Sequence, residues 1–303
     1  MKYIVISLIS LFFLTSCEDV IDLELDSVEP RLVIDAALER QINEDGEIVE
    51  FNKVILSLTT DVFDATPSPV NFADVSITNM SNEDVFRMRN VNNRGEFSIW
   101  PDGFPVGFPA NGMFQVENDV EYKLTVIHEG ETYEATEVLN PSVPIDFLLQ
   151  FEDTRNFKEP QDVAFTIAYT DRPGEGDFYT FNVNNTNFIT TEDTFIIDGA
   201  PFDFDYFFED PPSENLVVYL KGSDQNTNDY VDGITELSDG GGNGPFNTVP
   251  FQLKGNIVNT TNADNFPFGY FRVSEVYSSE ITLVDNEDAP SADVVDNIIN
   301  SAQ

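Results

Sequence analysis

The stretch Tyr122-Lys123-Leu124-Thr125-Val126-Ile127-His128-Glu129-Gly130-Glu131-Thr132-Tyr133-Glu134-Ala135 holds two short runs and a turn. Tyr122, Leu124 and Val126 alternate with Lys123 and Thr125, the period of two that gathers apolar side chains on one face of a strand. Glu129-Gly130 supplies the reversal, and glycine is suited to the left-handed backbone of a tight turn. Thr132 to Ala135 then resumes strand composition. The segment reads as a β-hairpin with His128 near its tip, a solvated turn residue.

Working outward, the same grammar fills the chain. Phe, Val, Ile, Thr and Tyr are abundant, and Gly, Pro, Asn and Asp punctuate throughout, which is an all-β composition. Residues 31–140 fit an immunoglobulin-like β-sandwich, with strands expected at 32–38, 53–59, 74–78, 85–88, 96–100, 121–127 and 132–139. Tyr122, opening a late strand, resembles the tyrosine corner of such sandwiches, whose hydroxyl ties down the preceding loop. Asn140-Pro141-Ser142-Val143-Pro144 reads as a stiff linker. A second antiparallel β domain is expected over 145–284, with strands at 147–151, 163–170, 178–183, 194–197, 216–220, 251–258, 268–276 and 281–284. One short helix is expected there, at 226–237. Gly240-Gly241-Gly242-Asn243-Gly244 lacks the Lys-Ser/Thr of a phosphate loop and reads as a flexible connector. The polar tail 285–303 holds Val294, Val295, Ile298 and Ile299 at helical spacing and is expected to be poorly ordered.

At the other end, Met1-Lys2-Tyr3 precedes the apolar run Ile4 to Leu14, shorter than the ~20 residues of a spanning helix and suited to a secretory signal. Leu14-Thr15-Ser16-Cys17 is a lipobox pattern. It makes 1–16 a lipoprotein signal peptide, Cys17 the lipidated residue and 17–30 a tether. Glu18 and Asp19 directly after Cys17 resemble a surface-export signal. The expected location is the outer membrane or cell surface, held there by lipid.

Composition removes several chemistries. The chain has 55 acidic and 14 basic residues, a formal net charge of −41, which argues against nucleic acid and anionic headgroups as ligands. Cys17 is the only cysteine and His128 the only histidine. Disulfides, Cys/His zinc sites and Ser-His-Asp or Cys-His catalysis therefore lack their parts. Among so many acids a carboxylate pair is always available and says nothing about glycoside hydrolysis. No catalytic constellation and no cofactor beyond the covalent lipid are expected.

Three stretches carry candidate binding residues. Trp100 and the Pro/Gly-rich loop after it present Phe104, Phe108, Met113 and Phe114 on a segment nearly free of charge. Such a loop either caps the sandwich or docks a partner through Trp100, Phe104, Phe108 and Phe114. Asp224, Asn226, Asn228 and Asp232 place oxygens at alternate positions, as at the start of a calcium loop. Asp229 stands where that loop needs glycine and Thr235 where it needs Glu, which favours a helix N-terminus instead. In Pro201 to Asp210, Phe and acid alternate, so a strand there would have one aromatic and one anionic face.

The chain as a whole resembles the Bacteroidota lipoproteins grouped as domain of unknown function 4249. The resemblance rests on the lipobox, Pro30-Arg31-Leu32-Val33-Ile34-Asp35, the Tyr122-Lys-Leu-Thr-Val strand, Ile197-Asp198-Gly199, Pro245-Phe246-Asn247, Lys254-Gly255-Asn256-Ile257 and Phe268-Gly269-Tyr270-Phe271. It implies an outer-membrane lipoprotein often encoded beside TonB-dependent transporters, and it brings no catalytic residues with it. The expected function is a non-enzymatic accessory or partner of such a transporter. The alternative is a stand-alone glycan- or calcium-binding surface module.

Overall fold

A computed structural model describes residues 29–43, 45–60, 67–99, 114–152, 163–174, 176–184, 187–192, 198–208, 215–238 and 253–302. Cys17, Trp100, Phe104 and Phe108 lie outside the described residues, as does the expected strand at 194–197. From Arg31 onward the chain forms one compact unit. It is mostly β: a large curled sheet, a second small sheet and short helices.

The first half builds most of the curl. β1 (Leu32–Ile42) and β2 (Ile48–Leu58) pair as a long antiparallel hairpin, from Leu32 opposite Leu58 to Ile42 opposite Ile48. The two-residue β3 (Ser68–Pro69) sits on β2. The path then runs from β2 to β6 (Glu96–Ser98), β5 (Val85–Asn90), β4 (Asp74–Asn79), β7 (Glu121–His128), β8 (Glu131–Val138) and the short β15 (Val258–Asn259). Because the sheet curls, β4, β7 and β8 come to face β1 and β2. Ile34, Ala36, Leu38, Val54 and Leu56 meet Ile77, Leu124 and Val126 in one core.

The quoted hairpin forms as its pattern requires. Val126 stands opposite Tyr133, and Glu129 and Gly130 make the turn with φ of 50° and 83°. Tyr122 is fully buried; its hydroxyl donates to the Gln115 carbonyl at 3.2 Å and accepts the Glu117 N–H at 2.8 Å. That is the fastening expected of a tyrosine opening this strand. Tyr122→Phe should remove both part-buried bonds, lowering unfolding free energy by about 1–2 kcal/mol in denaturant titration. An unchanged midpoint would show that the loop holds itself.

The second half extends the same sheet. β16 (Phe268–Thr282) pairs parallel with β1, and beyond it come β14 (Asn215–Ser223), β11 (Phe178–Val183) and β12 (Asn187–Glu192). The small sheet, β9 (Ile145–Phe151), β10 (Val163–Thr170) and β13 (Pro201–Phe208), packs on it. Phe165, Ile167 and Tyr169 of β10 meet Tyr179, Phe181, Val218 and Leu220 in a second core. Ile257, Phe271 and Val273 from this half also join the first core, and the hydrogen-bonded sheet runs through from β2 by way of β1 to β16.

Several expectations are corrected. β16 is continuous where two strands were expected, since Tyr277 and Ser278 pair with Leu220 and Tyr219 without a break. Of the strand expected at 251–258, residues 251 and 252 lie outside the described residues, and among 253–258 only Val258 pairs. Before it, the Asn256 side chain binds the Phe271 carbonyl at 2.7 Å and its N–H at 2.9 Å, replacing a backbone ladder. The tail is ordered: α2 (Ala292–Ala302) buries Val295 and Ile299 against Phe151, Ala164 and Ala168 of the small sheet. Its apolar stripe has a partner that the sequence did not reveal.

Candidate functional site

The alternation that buries Ile34, Ala36 and Leu38 of β1 turns Asp35, Ala37 and Glu39 to the other face of the sheet. In register, Ala37 stands opposite Lys53 on β2 and opposite Arg272 on β16. Lys221 of β14 reaches the same face, its ammonium 2.7 Å from Glu39 Oε1. Arg272 binds Asp35 at 2.8 Å and lies 4.0 Å from Glu39. The Glu39 and Lys221 side chains are only 2% and 11% exposed. Burial pushes the Glu39 carboxyl up, but Lys221 and Arg272 outweigh it and hold the group below its ordinary value. Burial also draws the Lys221 ammonium below its ordinary value, with Glu39 working against the shift.

A helix covers part of this face. α1 (Gln225–Ser238) begins at Asp224, whose Oδ1 accepts the Thr227 N–H at 2.7 Å, an N-cap that satisfies one of the free amides of the first turn. Asn228 pins it to the sheet. This buried side chain accepts from Ser223 at 2.7 Å and Thr180 at 3.3 Å and donates to the Thr191 carbonyl at 3.0 Å. Tyr230 follows and packs on Tyr270 of β16, with ring centroids 4.9 Å apart.

Between α1 and the sheet lies a cavity of about 290 Å³. Val33, Tyr230, Val231, Ile234 and Tyr270 give it apolar walls, and Asp35, Lys221 and Arg272 are the charged residues of its lining. Tyr270 is 4% exposed. Thr227 lies near enough to influence its ionisation, yet the Tyr270 hydroxyl makes no hydrogen bond of ordinary geometry. Burial, foremost, pushes that hydroxyl above its usual range. The same three charged residues border a second depression of about 450 Å³ that continues across β1 to Lys53 and Phe51. Cavity and depression are therefore neighbours that share these side chains.

Of the residues singled out from sequence, those that the structure describes lie elsewhere or play other parts. Phe114 is a core residue, 8% exposed, with its ring 4.9 Å from Phe86 and 5.9 Å from Tyr122. It has no surface to offer a partner. Asp224, Asn226, Asn228 and Asp232 follow a helix rather than a loop. Asp224 caps it, Asn226 faces solvent, Asn228 is the buried pin, and Asp232 accepts from Thr190 at 2.5 Å. Among the described residues no group of three His, Cys, Asp or Glu side chains is placed to hold a metal. In β13, Phe202, Phe204 and Tyr206 pack in the second core, while Asp203 and Asp205 face outward.

Sequence reasoning missed Asp35, Glu39, Lys53, Lys221, Arg272, Tyr230 and Tyr270. One signal was present. Basic residues are scarce, and Lys221 directly follows the apolar run Leu216-Val-Val-Tyr-Leu220.

The model of the family described as Domain of unknown function (DUF4249) matches residues 18–280. The chain belongs to that family. The DUF4249 match takes in every residue of the cavity and the depression, and it ends just before the last residues of β16. A search of curated proteins finds no match.

Proposed function

We propose that this DUF4249 protein is an envelope lipoprotein, anchored through Cys17, that serves a TonB-dependent outer-membrane transporter as a non-enzymatic binding accessory. It holds a small ligand beneath α1. The observation that carries the reading is the cavity itself, lined by Val33, Tyr230, Val231, Ile234 and Tyr270 together with the charged Asp35, Lys221 and Arg272. A binding pocket has this composition, mostly apolar with a few placed polar groups. The lipobox at Cys17 and the acidic step after it support the location. The Tyr122 fastening supports reading the first half as immunoglobulin-like.

The test is affinity isolation of the tagged full chain from membranes, with identification of what co-purifies. A β-barrel transporter should be recovered in near-stoichiometric amount. Cys17→Ser should abolish both membrane fractionation after a high-salt wash and transporter recovery, because stable anchoring needs more than one acyl chain. Recovery of the protein alone would replace the accessory reading with that of a stand-alone binding module.

A further inference from the structure

The charges around Ala37 do not cancel. Asp35 and Glu39 lie two residues before and after it on β1 and are taken up by Arg272 and Lys221. Lys53 is the surplus. It is half-buried, its ammonium lies 5.4 Å from the Phe51 ring centroid, and among the described residues no carboxylate pairs with it. In a chain with 14 basic residues against 55 acidic ones, three of the basic residues border this one depression. Ala37 between Lys53 and Arg272 carries only a methyl group and, 4% exposed, belongs to the lining of the depression. The acidity of the rest of the surface does not overrule this local excess, because it is screened beyond roughly 8 Å at physiological salt.

We propose that cavity and depression form a single site for an amphipathic carboxylate. Its carboxylate sits over Ala37 between Lys53 and Arg272, and its apolar body lies beneath α1 against Val33, Tyr230 and Ile234. This rests on the ligand-binding reading above and names its ligand class. A chain reaching into the cavity removes apolar surface from water on both sides. Lys53 gains the anionic partner it lacks, and a charge-assisted bond in a half-buried place outweighs a neutral one. An uncharged analogue of the same length forfeits that bond, and an unmodified cation would meet the surplus lysine.

The test is calorimetry on the full lipidated chain in nanodiscs, with empty nanodiscs as the blank. Octanoate probes a free acid and N-acetyl-leucylleucine a peptide terminus; the tighter of the two identifies the source of the carboxylate. Octanoate should bind about tenfold more tightly than 1-octanol, and Lys53→Gln should erase that difference while Lys53→Arg keeps it. From pentanoate to octanoate each added CH₂ should tighten binding roughly fourfold. Ala37→Leu, which keeps every charge, should abolish binding by intruding on the depression from its lining, and Ile234→Trp should do so by filling the cavity. Equal binding of octanol and octanoate, or an unaffected Lys53→Gln variant with an unchanged melting temperature, overturns the carboxylate assignment. So does failure of both carboxylate probes to bind. Transporter co-purification is a separate readout, so failure here leaves the accessory role to stand or fall on its own.

Discussion

Gly269→Ala should lower the melting temperature by on the order of 10 °C, at about 2–4 °C per kcal/mol for a chain of this size. Gly269 has φ of +103°, and a Cβ there would stand 2.0 Å from the Ile34 carbonyl oxygen and 2.9 Å from its nitrogen. Both are backbone atoms of β1 in the middle of the sheet and cannot step aside. The left-handed backbone costs an alanine ~1–3 kcal/mol and the overpacking ~1–3 kcal/mol more, so a loss of about 4 kcal/mol is expected. Gly130→Ala separates the two terms. Gly130 has φ of +83° with nothing within 4 Å, so only the backbone cost applies. Equal losses in the two variants in thermal melts would show that close packing at β1 is not what Gly269 serves.

Lys221→Met should cost about 3–5 kcal/mol at neutral pH, because it strands a buried carboxylate. Glu39 would keep Arg272 only at 4.0 Å. The pH dependence identifies the cause. In the native protein Glu39 is held below its ordinary value of 4.5, so its contribution is present above that value and fades as the pH falls through the lower folded one. In the variant the main opposing charge is gone and burial, which raises the carboxyl, dominates. A raised folded value means stability is recovered as pH falls, so the deficit of Lys221→Met should shrink between pH 7 and the ordinary value of 4.5. Denaturant titrations across that range measure it. A deficit that stays constant with pH would assign the loss to packing of the lysine stem rather than to its charge.

Local structure was legible where a pattern answered to one layer. The period of two in Tyr122–Val126 and Val163–Thr170 reports a face against a core, and the spacing of 226–237 reports a helix one residue short at each end. What pairs with what was not legible. Nothing in Leu32–Leu38 says that it meets Phe268–Val276 in parallel, because partner choice depends on residues far along the chain. The tail was misjudged for the same reason, since Val295 and Ile299 look idle until the outer face of the small sheet appears. The cavity escaped because its walls come from β1, α1, β14 and β16, each contributing an unremarkable residue or two. The aromatic loop and the spaced oxygens drew notice because they are contiguous in sequence, and contiguity is what a binding site on a sheet face lacks.

The parallel seat of β16 beside β1 also governs how the molecule comes into being. β1 gains its neighbour β2 almost at once through a hairpin. Its other neighbour lies some way off, since Arg40 and Glu275 are 235 positions apart. Closing so long a loop is entropically costly, and such pairings form slowly. A ribosome releases the N-terminal end first, so β1 waits with one row of amides and carbonyls bare until the last strand emerges. A bare edge over an apolar face invites other chains to add themselves. Until β16 arrives the nascent chain is exposed to such pairing, and the last of the described strands to be made is the one that seals the middle of the sheet.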